Sequence, residues 1–301
     1  MNANTCRPDV SIVMAVKNEE IYVESAVSSI LAQTGLQIEL VVVDDGSDDK
    51  TYEILDRLAT RNSRMHLLRN PKSGKCSAFN LGVSLACGKF VCIFAGDDLM
   101  PQGSLAERYA VVKDLPFNIP TVGLCKLVTL STIKRFDGHL VPRSPGLGAL
   151  SGISPLMNPL ALAKMFPVPE SLPNEDTWME LSVTHFTDWV IVHSDIVGCA
   201  WRVHEGNSIN MLSGFDEYNR KITARIRAIP MFYERFGPEL SEDARERLRH
   251  RIDCEASRQR GSLLGIMTSR VPLIEKLRSL SIANRTLYFA RQKLYGLLSG
   301  W

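Results

Sequence analysis

The 301-residue chain has no run of 18 uninterrupted apolar residues, no basic segment leading into an apolar core at its start, and no cysteine pair at C-x-x-C spacing. The first two absences leave out the patterns of a spanning helix and of a cleaved leader, so neither a membrane span nor secretion is expected. The seven cysteines, at 6, 76, 87, 92, 125, 199 and 254, are odd in number and scattered. They point to neither a zinc site nor a disulfide framework, and a reducing cytosol is their simplest setting. Charge of one sign is also missing: 35 Lys and Arg against 33 Asp and Glu leave a net +2, which argues against bulk nucleic-acid binding. The stretch "NPKSGKCSA" fails the P-loop pattern, because Arg69 stands where the first glycine belongs and Cys76 follows Gly74-Lys75 in place of Ser or Thr. A kinase or ATPase is thereby disfavoured. What remains, 45% hydrophobic and 23% charged, suits one large domain with a sizeable core plus an extension.

Apolar runs of strand length are present and regularly spaced. "VSIVMAV" (10–16), "IELVVV" (38–43), "MHLLRN" (65–70) and "KFVCIFA" (89–95) each end at polar or Gly-rich residues. Between them lie segments of helical spacing, with Ile21, Val23, Ala26, Val27, Ile30 and Leu31 in the first, Tyr52, Ile54, Leu55 and Leu58 in the second, and Ala78, Leu81, Gly82 and Leu85 in the third. Such alternation predicts an α/β fold, a Rossmann-like, mostly parallel sheet flanked by helices, with ligands beyond the carboxyl ends of the strands.

Those ends are polar. Lys17 to Glu20 follow the first strand, Asp44, Asp45, Gly46, Ser47 and Asp48 the second, Ser73 to Lys75 the third, and Gly96, Asp97 and Asp98 the fourth. Each stretch alone reads equally well as a turn or a helix cap. Together they converge on one sheet edge. Adjacent carboxylates there repel one another unless a cation neutralises them, and Mg²⁺ or Mn²⁺ prefers one or two carboxylates with phosphate oxygens completing its shell. A nucleoside-diphosphate site is the expectation.

Residues 10–101, "VSIVMAVKNEE…VVVDDGSDDKTYEIL…NPKSGKCSAFNLG…KFVCIFAGDDLMP", resemble the nucleotide-binding half of the family 2 glycosyltransferases, which have the GT-A fold. The resemblance implies inverting transfer of a sugar from a nucleotide diphosphate, UDP being the commonest case, with Mg²⁺ or Mn²⁺ as cofactor. It places Glu19 near the nucleoside and Asp44 or Asp45 on the base. Lys75 and Asn80 would close over the donor, Asp97 would lie by the ribose or sugar, and Asp98 would bind the metal. Ala95 stands where many members have a further Asp, leaving the short "GDD" form of the metal motif.

In the second half, "LPNEDTWMELS" (172–182) puts Glu175 and Asp176 before a helical stretch. An acidic first turn is the plain reading; the resemblance makes Asp176 the base that deprotonates the acceptor hydroxyl. "GCAWRVHEGNSI" (198–209), after a strand-like "WVIVHSDIVGCAW", resembles the family's carboxyl-terminal motif. Arg202 would then contact phosphate and His204 would complete the metal shell or touch the diphosphate. The apolar but proline-broken 143–166 segment is expected in the acceptor wall.

From about residue 215 the strand signals stop, and Ser241 is read as the N-cap of a helix. After Pro272, apolar residues at 273, 277, 280, 287, 294, 298 and 301 recur at nearly heptad spacing among Lys276, Arg278, Arg285, Arg291 and Lys293. Such a basic amphipathic tail packs on its own domain or a partner, or docks on an anionic membrane surface. The expected organisation is a GT-A domain over 1–214, split into a nucleotide-sugar half (8–125) and an acceptor half (126–214), and a helical extension over 215–301. The expected setting is cytoplasmic and peripheral to the inner face of the membrane. The expected partners are a nucleotide sugar and a glycan acceptor, polyprenyl-diphosphate-linked in this reading, with no nucleic acid. The competing readings are a nucleotidyltransferase on a related scaffold, a non-catalytic nucleotide-sugar-binding module, and a helical scaffold for a polysaccharide complex.

Overall fold

The residues of "VSIVMAV" are buried on both faces, which is why they show no polar alternation; they form β1 (Val10–Val16). The structure is a computed structural model that describes residues 7–204 and 213–298. It divides into two compact units, one of Met1–Val183 with Asp188–Val203 and one of Thr184–Thr187 with His204–Trp301.

In the first unit β1 is followed by α1 (Val23–Leu31), β2 (Ile38–Asp44), α2 (Thr51–Arg61), β3 (Met65–Arg69), α3 (Lys75–Leu85), β4 (Phe90–Ala95) and α4 (Ser104–Val112). The buried face of α1 is Val23, Ala26, Val27 and Ile30, the i, i+3, i+4, i+7 set that its spacing predicts. α3 approaches the sheet at Gly82, where a Cβ would stand 2.4 Å from Val13 Cγ1 and 3.2 Å from Val43 Cγ2. β1 pairs in parallel with β2 and β4, and β2 with β3, with Val16 level with Asp44 and Ala15 with Ala95. That register brings the carboxyl ends of the strands to one edge.

The unit continues through β5 (Thr121–Leu130), β6 (Leu140–Val141), β7 (Leu156–Met157), α5 (Pro159–Met165), α6 (Asp176–His185) and β8 (Val190–Arg202). The sheet order is β3-β2-β1-β4-β7-β5-β6, with β8 beside β5, and its pairings are antiparallel around β7 and β6 and parallel elsewhere. The expected mostly parallel α/β sheet is therefore present. The ten-residue β5 was not anticipated: Lys126 interrupts its apolar run yet is buried, its Nζ donating to Pro142 O (2.8 Å) and Ser144 O (2.7 Å). Within 143–166 the chain forms β7 and then α5, capped by Asn158, whose side chain accepts from Ala161 N.

The second unit holds α7 (Phe215–Ile226), α8 (Ala228–Phe236), α9 (Glu242–Gln259), α10 (Leu263–Thr268), α11 (Leu273–Leu280) and α12 (Arg285–Leu298). Ser241 caps α9 as read, its side chain accepting from Ala244 N at 3.2 Å. His185 and Phe186 meet Phe232, and Phe186 also meets Phe236. The single heptad stripe expected after Pro272 does not form. The chain leaves helix after Leu280, buries Ile282 and Ala283, and restarts at α12, where Asn284 Oδ1 accepts from Leu287 N at 3.0 Å. Leu273 and Leu277 are exposed instead of packed; Trp301 lies outside the described residues. Among the described residues no helix is long and apolar enough to cross a membrane.

Candidate active site

Three loops at the strand ends are bound to one another. Asn18, at a left-handed φ of 56°, turns the loop after β1 so that its N–H donates to Ser47 Oγ (3.0 Å) and its Oδ1 accepts from Asp48 N (3.0 Å). Glu19 N donates to Thr51 Oγ1 at 2.7 Å. Asp44 and Asp45 are both buried. Asp44 accepts from Ser47 N at 3.3 Å, while Asp45 accepts from Gly74 N (2.8 Å) and Asn70 Nδ2 (2.7 Å). These aspartates therefore shape the "DDGS" turn and the glycine turn that opens α3 and carries Lys75.

The acidic edge is electrostatically loaded. Burial, and then the charges of Asp97, Asp98 and Asp49, push the Glu19 carboxyl up to about 7 against the opposing Lys75 ammonium. Burial and the Asp97 charge push Asp98 up to about 7, offset in part by its bond from the Arg202 backbone. Gly96 permits the crowding: a Cβ there would stand 2.7 Å from Val16 Cγ1 and 3.2 Å from Glu19 Cγ.

β8 ends on this edge. Leu99 bridges to Ala200, Arg202 N donates to Asp98 Oδ1 at 2.7 Å, and Arg202 Nε donates to the Asp97 carbonyl at 2.7 Å. The Arg202 guanidinium also lies 4.5 Å from the centre of the Tyr22 ring, an aromatic that sequence reasoning passed over for want of any motif. Arg202 and the Asp97-Asp98 pair, about a hundred residues apart, are thus brought together. His204 follows Arg202 by two residues, and the Asn207 and Ser208 of the same motif lie outside the described residues.

Among the described residues no three His, Cys, Asp or Glu side chains are grouped as a ready-made metal cage. A Mg²⁺ or Mn²⁺ shared with a diphosphate needs only one or two protein carboxylates. Crowded, desolvated acids of raised pKa are what such a cation relieves, so the residues present fit the group.

Asp176, at the start of α6, is half-buried and held at both oxygens: Oδ1 accepts from Gly152 N at 3.0 Å and Oδ2 from Asn174 Nδ2 at 2.7 Å. Its neighbour Glu175 is buried and pairs with Lys75 Nζ at 3.2 Å. Burial pushes Glu175 up, with Asp176 adding to the rise and Lys75 opposing it. Lys75 therefore connects the donor loop to the helix that bears the expected base. Asn80 is used differently from the expectation of a donor contact: Nδ2 donates to Val168 O and Oδ1 accepts from Val168 N, each at 2.8 Å. A hollow of about 530 Å³ lies elsewhere, on β2 and β3 beside Glu39, His66 and Leu85. Glu39 there accepts from Ser11 Oγ (2.5 Å) and Cys87 N (3.1 Å).

Residues 11–135 match the model of glycosyl transferase family 2. The chain is 33% identical over 106 residues to the glycosyltransferase GlyG of Streptococcus pneumoniae, covering 35% of each chain. It is 34% identical over 93 residues to chondroitin synthase of Pasteurella multocida, covering 31% of this chain and 10% of that one. The aligned stretch spans about a third of GlyG and less of several other curated relatives. Among solved structures, S. aureus TarS 1–349 in complex with UDP-GlcNAc superposes with TM-score 0.54 at 18% identity, covering 96% of this chain and 76% of that one. The mannosyltransferase PcManGT of Pyrobaculum calidifontis, in complex with GDP-Man and Mn²⁺, gives 0.57 at 18% identity, covering 99% and 82%. The fold is thus GT-A, and the segment that carries β1 to β5 and their acidic edge is similar to glycosyl transferase family 2.

Proposed function

We propose that the protein is an inverting, metal-dependent glycosyltransferase that moves a sugar from a nucleoside diphosphate, with UDP the first candidate, to a hydroxyl of a glycan acceptor in surface polysaccharide assembly. The observation that carries this reading is the convergence of Glu19, Asp97, Asp98 and Arg202 on the strand edge, with Lys75 reaching from the donor loop to Glu175 beside Asp176. The bound UDP-GlcNAc of TarS and the GDP-Man and Mn²⁺ of PcManGT support the same class of donor.

In this reading residues 1–214 are the transfer domain, with donor contacts in 8–125 and the acceptor wall in 126–214. Asp44 and Asp45 border the base; their carboxylates also hold the loops that enclose it. Asp98, with His204, holds a divalent cation, which when bound neutralises the diphosphate leaving group. Arg202 and Lys75 add positive charge for the phosphates, and Asn80 serves the donor site by fixing Val168. Asp176 takes the proton of the acceptor hydroxyl as its oxygen forms a bond to the anomeric carbon. The bond from that carbon to the diphosphate oxygen breaks on the opposite face, and the electron pair leaves with the nucleotide. One displacement inverts the configuration and needs no second carboxylate nucleophile. The acceptor is lipid-linked in this proposal, and the helical extension, 215–301, brings the enzyme to the inner membrane surface.

Calorimetric titration of UDP, GDP, dTDP and ADP, with and without Mn²⁺, tests the donor half of the proposal. One diphosphate should bind wild type in a metal-dependent way and lose that dependence in Asp98→Asn. Asp176→Asn should keep the affinity while losing transfer by at least a hundredfold. Failure of every nucleotide to bind would refute the reading.

A further inference from the structure

We infer that the loop around Gly152 is a positioning device for the Asp176 carboxylate, and that glycine is required at 152 for that reason. The inference rests on the proposed role of Asp176 as base and adds the residues that hold it. Gly152 N donates to Asp176 Oδ1 at 3.0 Å, and Asn174 Nδ2 donates to Asp176 Oδ2 at 2.7 Å. Two donors on two oxygens fix both the place and the plane of the carboxylate, and a base held in one geometry avoids reorganising as the proton moves.

The approach leaves no room for a side chain. A Cβ at 152 would stand 2.8 Å from Asp176 Oδ1, 3.1 Å from Glu175 Oε1 and 3.3 Å from Ile93 Cδ1. Glu175 cannot readily give way, being buried and paired with Lys75. An added methyl would therefore displace the Asp176 oxygen or pull the loop off it.

The loop is itself anchored on both sides of Gly152. Ala149 N donates to Cys125 O at 2.8 Å, Ser154 Oγ donates to Cys125 O at 3.0 Å, and Cys125 N donates to Ser154 Oγ at 2.9 Å. The buried guanidinium of Arg108 donates through Nη2 to the Ser154 carbonyl at 2.7 Å. This arginine on α4 thereby clamps the end of the loop whose N–H meets the base.

The test compares Gly152→Ala, Asn174→Ala and Asp176→Asn with wild type. The measurement is nucleotide released from UDP-GlcNAc, UDP-glucose or GDP-mannose with Mn²⁺, water standing in for the acceptor hydroxyl. Gly152→Ala should lower kcat at least tenfold and Asn174→Ala threefold or more. KM for the nucleotide sugar and the calorimetric affinity for the free nucleotide should stay within twofold. A merely structural defect would move KM and affinity together with kcat, and that pattern overturns the inference. So does a kcat within twofold of wild type in both variants while Asp176→Asn is inactive. Should Gly152→Ala not fold, Asn174→Ala decides by the same criteria. Wild-type turnover in Asp176→Asn, or no turnover by wild type, would instead overturn the base assignment and this inference with it.

Discussion

At the acidic edge, burial and neighbouring negative charge hold both Glu19 and Asp98 at about 7, well above ordinary carboxyls. A carboxyl whose pKa is raised on folding binds more proton in the folded than in the unfolded chain. Its contribution favours the fold below the unfolded value and is lost as pH rises through about 7. Metal-free protein should accordingly lose melting temperature between pH 5 and pH 8, and Mn²⁺ should restore more of it at pH 8 than at pH 5.5. Asp98→Asn should flatten the pH dependence and remove most of the metal effect. Scanning fluorimetry checks this, and equal Mn²⁺ stabilisation of wild type and variant would take Asp98 out of the metal site. The acidic pair was legible in the sequence because it directly follows the buried strand β4, and Lys75 because it stands in the glycine turn between β3 and α3. The use of Asn80 to hold Val168, and of Gly152 to hold Asp176, was not: nothing in a residue's type says which distant backbone it meets.

Between elements, the contact of α3 with the sheet depends on an absent side chain. Gly82→Ala would place a methyl carbon 2.4 Å from Val13 Cγ1 inside a packed layer. Overpacking of this kind costs about 1–3 kcal/mol, to be read as a lower denaturation midpoint with an unchanged m-value. In the helical unit, Ser241→Ala removes the cap of α9 and should cost about 1 kcal/mol by the same measurement. The four parallel strands were readable because strands buried on both faces leave uninterrupted apolar runs. β5 was not, because Lys126 breaks its apolar run, and only the fold buries that lysine on two carbonyls. The split of the last helices escaped notice for a related reason: Leu280 and Leu287 are seven residues apart, so the stripe keeps its period across a break that Asn284 caps.

For the molecule in its setting, the exposed apolar residues of the helical unit bear on the proposed membrane surface. Leu264, Met267, Leu273, Ile274 and Leu277 are 52–76% exposed on α10 and α11, beside the exposed Arg270 and Arg278. The one acid of that stretch, Glu275, faces Arg251 at 3.4 Å. Apolar and cationic groups on one short helical pair suit an anionic bilayer surface. Sedimentation with vesicles of 30% anionic phospholipid should pellet wild type. It should fail to pellet an Arg270→Glu, Arg278→Glu variant, and 0.5 M salt should weaken the effect; equal pelleting of both would remove these helices from the contact. By itself the sequence determined an alternating α/β chain with a parallel sheet and an acidic edge, because burial patterns and turn residues are local properties. Only the tertiary structure decided that Arg202 meets Asp97 and Asp98, that Lys75 meets Glu175, and that Gly152 meets Asp176. Those meetings follow from sheet order, β8 beside β5 and its end bridged to the loop after β4, and from loops anchored across strands, which no periodicity along the chain encodes.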